Sequence, residues 1–104
     1  MDDDGLAEDF AFTADLWRWR DGSWFFVTLP IDLATDLRMG AGPPRGFGSI
    51  RVEATLGPSV WRTSVFPDND SESFVLPVKK AVRVAAGVDE GDTCTVTLRL
   101  VDEA

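Results

Sequence analysis

The chain has 104 residues, of which 44% are hydrophobic, and its formal net charge is −8. This length suits one domain with its own core, which needs neither disulfides nor a metal. The single cysteine excludes an intrachain disulfide, and the negative charge argues against a nucleic-acid partner, because phosphate binding depends on clustered Lys and Arg.

The amino-terminal residues are acidic. Residues 1–9 carry five acids and no apolar run, so we expect an acidic disordered tail over 1–9 and a single domain over 10–102. No stretch approaches the roughly 20 apolar residues of a membrane span. Together with the lone cysteine, this favours a cytoplasmic protein without a membrane partner.

The first half of the chain predicts a hairpin, a helix and a further strand. Residues 10–19 alternate with Phe10, Phe12, Ala14 and Leu16 on one face, and Asp21-Gly22 is a turn motif. Residues 23–29 contain consecutive apolar side chains, which suits a central strand buried on both faces. Pro30 ends that strand, and residues 31–38 have helical spacing. The helix is expected to direct inward Ile31, Ala34 and Leu37.

The loop predicted over 39–48 leads to three more strands and a second helix. Residues 49–56 alternate, Gly57-Pro58 is a turn, residues 60–66 form a strand, and 67–72 are turn-rich. A short strand over 74–76 precedes a helix over 78–86, and Gly87 is suited to the position just past the end of that helix. A turn at Gly91-Asp92 follows. Residues 93–101 form the last strand. The second helix is expected to direct inward Val78, Ala81, Val82 and Ala85, with Lys79, Lys80 and Arg83 on the opposite side.

The chain contains one unit twice: strand, Leu-Pro, helix, turn, strand. Two copies are too few for a solenoid and are more compatible with one barrel around a pseudo-two-fold axis. The unit, best seen over 74–100, resembles the swapped-hairpin domain of AbrB and MazE-type transcription factors. Those proteins carry it once per chain and form the barrel by dimerising. The resemblance implies an AbrB- or antitoxin-like DNA-binding regulator as an alternative function.

Five segments in order resemble the domain-of-unknown-function family 1905. They are WFFVTLP at 24–30, GFGSIRV at 46–52, WRTSVFP at 61–67, FVLPVKKAVR at 74–83 and GDTCTVTL at 91–98. The resemblance implies a mostly β fold with two short helices, a double-split β-barrel or pseudobarrel. It implies no established activity.

The residue types exclude much chemistry. The chain has no histidine and no tyrosine, so it lacks the usual general base near neutral pH and the commonest metal ligand. Asp68, Asn69 and Asp70 lack the spacing of a calcium loop, and a turn is the better interpretation. We therefore expect no cofactor, no metal and no enzymatic activity. An enzyme of unrecognised type that uses carboxylates is the residual alternative.

The candidate ligand-binding residues combine cations with aromatic side chains. In Trp61-Arg62-Thr63-Ser64 the cation and the hydroxyl share one strand face, which could hold an anion or be a plain polar surface. The basic residues of the second helix could meet a phosphate or an acidic partner, or could be solvated. Arg45 lies in the glycine-rich loop, where it could contact a ligand or be a plain surface charge. The proposed site comprises Arg45, Trp61, Arg62, Ser64, Lys79, Arg83 and Trp24.

Four tryptophans are many for this length. Trp17 and Trp19 fall on the face opposite Phe10 and Phe12, so either both faces are covered or one exposes an aromatic patch. With no catalytic residues and this excess of aromatics, we expect a non-enzymatic binding module for a small molecule or a partner protein. We expect it to be a monomer or a weak homodimer.

Overall fold

The computed structural model describes residues 9–41 and 48–101. Within these ranges the strands are β1 Asp9–Asp15, β2 Trp17–Arg18, β3 Phe25–Thr28, β4 Ile50–Leu56, β5 Ser59–Asp68, β6 Ser73–Pro77 and β7 Thr93–Leu100. The helices are α1 Ile31–Gly40 and α2 Lys80–Ala86. The acidic residues 1–8 lie outside the described ranges, and Asp9, expected in the tail, begins β1.

The described strands form one antiparallel sheet in the order β1-β7-β4-β5-β6-β3-β2. β1 and β2 therefore stand at opposite edges of the sheet, although only Leu16 separates them in the chain. Both edges must meet at this residue, so the sheet curls into a half-barrel. The mostly β fold with two short helices is confirmed.

The inward faces of the strands form one core. In β4 every second residue is buried, and β7 buries Cys94, Val96 and Leu98, so both predicted alternations are confirmed. Period-two burial is expected for a strand with one face on the core. The core cluster also contains Phe12, Val27, Leu37, Val65, Phe74 and Leu76.

The predicted first hairpin is confirmed only at its tip. Trp17 and Arg18 pair with Phe26 and Phe25, but β1 pairs along its length with β7, at the other edge of the sheet. The expectation that 23–29 is buried on both faces is wrong at Trp24, whose side chain is 58% exposed. Trp24 precedes β3, which begins at Phe25, so it lies outside the paired part of this segment.

The buried stripe of each helix is rotated from the predicted one. In α1 the stripe consists of Leu33, Ala34 and Leu37, so Ile31, at about 110° from its centre, is exposed. In α2 the stripe is Val82, Arg83 and Ala86, while the predicted inward residues Ala81 and Ala85 are exposed. Arg83, predicted on the solvent side, is half-buried. Val78 is buried as predicted, but it precedes the helix.

Turns lie close to their predicted positions. Gly57-Pro58 joins β4 to β5, and Gly87 adopts the left-handed conformation at the end of α2 with φ of 68°. β5 continues to Asp68, so the predicted turn over 67–72 begins two residues later. α1 extends to Gly40, and the rest of the predicted loop lies mainly in 42–47, outside the described residues.

Candidate ligand-binding cleft

A gap in the sheet creates a cleft of about 580 Å³. Ser59–Val65 of β5 pair with β4, whereas only Phe66–Asp68 pair with β6. Next to residues 61–63, therefore, the edge of β5 that faces β6 has no strand beside it in the described part of the chain. The cleft lies between this edge and the segment 77–80 with Arg83 above it; we call it the cationic cleft.

The hairpin geometry directs backbone groups into the cationic cleft. Leu56 and Ser59 close the two-residue turn between β4 and β5, and Gly57 has φ of 58°. In such a hairpin the closing pair exchanges hydrogen bonds, and bonded and non-bonded pairs then alternate. Arg62, opposite Glu53, is in a non-bonded pair. Its N–H and C=O therefore point away from β4, toward the cationic cleft.

Three cations at the cleft have no ion-pair partner within the described part of the chain. The side chains of Arg62, Lys79 and Lys80 are exposed, and none forms an ion pair or hydrogen bond with any residue in 9–41 or 48–101. A fourth cation, Arg83, forms part of the wall. Its guanidinium carbon lies 3.7 Å from the centroid of the Phe25 ring, and its Nη1 donates to the Val78 carbonyl at 2.7 Å.

Arg62 ends a row of alternating charges across the outer face of the sheet. The row runs Asp9, Arg99, Glu53, Arg62 over four neighbouring strands. Arg99 Nε donates to Asp9 Oδ1 at 2.9 Å, and this bond, with the charges of Asp9 and Glu53, raises the pKa of Arg99. Arg99 shares Glu53 with Arg62, so the charge of Arg62 is only partly offset on this side.

A second concavity of about 400 Å³ adjoins the cationic cleft, and we call it the aromatic groove. Trp17, held by a 2.9 Å bond from its Nε1 to Thr28 Oγ1, lies 5.0 Å from Phe26 between ring centroids. Trp24 stacks on the same Phe26 ring at 6.1 Å with an interplanar angle of 11°. Trp19 is 50% exposed at its rim. The remaining lining residues are Phe66, Asp68, Val75 and Pro77.

The four tryptophans thus divide between core and surface. Trp61 is half-buried against the core beside the cationic cleft, while Trp17, Trp19 and Trp24 line the aromatic groove. Trp24 lines both concavities. Of the two arrangements that the sequence left open, the structure has an exposed aromatic patch.

The structure brings five of the seven candidate residues together. Around the cationic cleft lie Trp24, Trp61, Arg62, Lys79 and Arg83. Ser64 is on the strand face that it shares with Arg62, but its hydroxyl accepts a 3.5 Å bond from Arg51 and it does not line the cleft. Arg45 lies outside the described residues.

Sequence reasoning missed part of the site. Phe25 lines the cationic cleft, and Phe66 and Asp68 line the aromatic groove. Phe25 belongs to the apolar run Trp24–Val27, which was predicted as a strand buried on both faces, and of this run only Trp24 was also named as a candidate site residue. Lys80 was identified as basic but was not placed in the site, although it lines the cationic cleft.

Neither a metal site nor a membrane-crossing helix is found in the parts of the chain described. No three His, Cys, Asp or Glu residues in 9–41 and 48–101 are grouped so that they could hold a metal ion. Both described helices are too short and too polar to cross a membrane.

A comparison with protein families identifies one match. The family described as "Domain of unknown function (DUF1905)" matches residues 12–98, which is most of the chain. No curated protein matches the chain.

Proposed function

Because the chain belongs to the DUF1905 family, whose description assigns no activity, we propose from the cleft itself that this protein is a non-enzymatic binding module for a small anionic molecule. One observation carries the proposal. Both lysines of the chain, with Arg62 and Arg83, converge on one cleft of a molecule whose net charge is −8. Local potential of this sign attracts a carboxylate or phosphate despite the overall charge.

The donors of the cationic cleft are suited to an anion. The side chains of Arg62, Lys79 and Lys80 have no partner among the described residues, and the backbone N–H of Arg62 faces the same space. A hydrogen bond to a charged group contributes about 1.5–3 kcal/mol, and two or three of these are enough for specific binding of a small ion.

The lining favours binding over catalysis. The described residues around the cationic cleft include the hydroxyls of Ser23 and Thr63 but no carboxylate, histidine or cysteine. A hydroxyl nucleophile needs a neighbouring base, and the described lining supplies no carboxylate or imidazole for that role. The ligand is therefore held rather than converted.

Titration with inorganic phosphate tests the proposal. We expect saturable shifts of the backbone amides of Arg62 and Lys79 in ¹⁵N-labelled protein, and at least tenfold weaker binding by Lys79→Gln/Lys80→Gln. The control Arg38→Gln removes one positive charge away from the cleft and should change the affinity less than twofold, whereas Lys79→Gln, which removes one at the cleft, should weaken binding more than that. Equal losses in these two single variants would show a response to net charge alone and would contradict a site.

We further propose that the curled sheet is a double-split barrel with a pseudo-two-fold axis. The support is that equivalent strands of the two sequence units pair antiparallel, β3 with β6 and β4 with β7, as a two-fold axis between them requires.

The second candidate function is an AbrB-like regulator, which would bind DNA phosphates through the same cations. Absence of salt-sensitive binding to mixed-sequence duplex DNA at low ionic strength would eliminate it.

A further inference from the structure

We propose that the aromatic groove and the cationic cleft are two halves of one site, whose ligand is a flat ring system bearing an anionic group on one side. The anionic half of this inference rests on the function proposed above. The ring occupies the groove between Trp19, Trp24 and Phe66, and the anion reaches Arg62 and Lys79.

The two concavities meet at residues that line both of them, beside the first residues of β3 and the last residue of β6. Successive side chains of a strand point to opposite sides, so Phe25 lines the cationic cleft while Phe26 lines the aromatic groove. Trp24 and Pro77 line both and form the boundary between them. A ligand that covers this boundary contacts both halves without any movement of the chain.

The groove favours a flat ring because its walls are aromatic and held in place. The Trp24 and Phe26 rings are nearly parallel, and Trp17 is fixed by its hydrogen bond to Thr28. Aromatic rings attract one another in offset-stacked and edge-to-face arrangements beyond the burial of their area. The side chains of Trp19, Trp24 and Phe66 are 50%, 58% and 43% exposed, and an aromatic patch of this kind marks a binding surface.

The charge at the far end of the groove fixes the orientation of the ligand. Asp68 is the one charged residue among the described lining of the aromatic groove, and its Oδ2 accepts a 3.1 Å bond from the Ser71 N–H. A carboxylate here repels an anionic group, whereas the cationic cleft on the other side of Trp24 attracts it. The ligand therefore carries its anion on one side only.

The four tryptophan indoles provide a site-resolved test. In ¹⁵N-labelled protein, inorganic phosphate should shift the Nε1–H signals of Trp61 and Trp24 but leave those of Trp17 and Trp19 in place. 2-Naphthyl phosphate should shift all four and bind at least tenfold more tightly than phosphate. The double substitution Trp19→Ala/Phe66→Ala should weaken 2-naphthyl phosphate at least fivefold and phosphate less than twofold, and Val60→Ala, an exposed apolar residue outside both halves, is the control.

The outcomes separate this inference from the proposed function. If phosphate binds at the cleft but the naphthyl ring adds no affinity, the joint site is wrong and the anion site stands. If neither compound binds at the cleft, both are wrong. If 2-naphthyl phosphate binds with Trp61 unshifted and is unaffected by Lys79→Gln/Lys80→Gln, the groove is an independent site and the inference is overturned.

A pair of sulfonates tests the orientation. Naphthalene-2-sulfonate has one anionic group, whereas naphthalene-2,6-disulfonate places a second one toward Asp68. We expect the disulfonate to bind at least threefold more weakly than the monosulfonate, and Asp68→Asn to remove that difference. A difference that persists in Asp68→Asn would exclude Asp68 as the orienting group.

Discussion

Arg83 is the residue that joins α2 to β3. Its guanidinium lies over Phe25 and donates to the Val78 carbonyl, so the side chain is both a wall of the cationic cleft and a structural contact. Arg83→Lys keeps the charge but loses the planar stack, and we expect it to lower the free energy of unfolding by about 1–2 kcal/mol. Urea denaturation measures this, with Lys80→Ala as a control that stays within about 0.5 kcal/mol. A lysine variant as stable as the parent would contradict the stacking role.

Cys94 is buried in β7, at 2% exposure. Burial, followed by the charges of Asp92 and Asp15, raises the pKa of its thiol. The folded protein therefore retains this proton to a higher pH than the unfolded chain does. The resulting stabilisation is complete below the ordinary thiol pKa of about 8.5 and is lost as pH rises above it.

Cys94→Ala tests this pH dependence. We expect the free energy of unfolding of the parent to fall above about pH 8.5, and that of Cys94→Ala to fall less steeply over the same range. Urea denaturation at a series of pH values measures both slopes. Equal slopes would show that other groups control the alkaline loss of stability.

At the scale of elements, α2 rests on the turn between β4 and β5. A Cβ added to Gly57 would meet the Ala86 Cβ at 3.1 Å, whereas one added to Gly87 meets nothing within 4 Å. Both glycines have positive φ, 58° and 68°, so alanine costs about 1 kcal/mol of backbone strain at either position. We expect Gly57→Ala to destabilise the protein more than Gly87→Ala by thermal or urea unfolding. Equal losses of stability in the two variants would mean that α2 shifts away from Gly57 at no energetic cost.

Elements with a strong local pattern could be predicted from the sequence, and those fixed by distant pairing could not. The alternation of β4 and β7 is visible in eight residues or fewer. The pairing of β1 with β7 joins residues as far apart as Asp9 and Arg99, and no local pattern encodes it. The stripe of α2 was misjudged because Arg83 was counted as a solvated charge, although its guanidinium stacks on the Phe25 ring.

In the candidate site, too, the residue types could be predicted from the sequence, whereas their arrangement in space could not. Cations and tryptophans are evident from composition, and their choice as site residues needed no structure. Their convergence depends on β5, which leaves β4 and joins β6 at Phe66 and so opens the gap beside Arg62. The place where a strand changes partners is set by the whole sheet, so Phe25 and Asp68 could not be assigned to the site beforehand.

At the scale of the whole molecule, Leu16 is the point at which the two sheet edges meet. Its N–H donates to the Asp92 carbonyl and its carbonyl accepts from the Gly91 N–H, both at 2.8 Å, and its side chain is 1% exposed. These bonds hold the chain between β1 and β2 against the turn before β7. The curl of the sheet, and with it the position of β3 beside the cationic cleft, depends on this junction.

Leu16→Ala should therefore affect both stability and the site. Truncation of a buried leucine costs about 2–5 kcal/mol, and we expect a loss in that range by urea denaturation. Because β2 leads from Leu16 to the aromatic groove, the Nε1–H signals of Trp17 and Trp19 should also move in the folded variant, while that of Trp61 stays. The control is Val65→Ala, which truncates a buried side chain of β5. It should also lower the free energy of unfolding, but it should leave the Nε1–H signal of Trp17 in place. If Leu16→Ala costs less than about 1 kcal/mol, or leaves the groove tryptophans unmoved, the curl is held by strand pairing alone and not by packing at the junction.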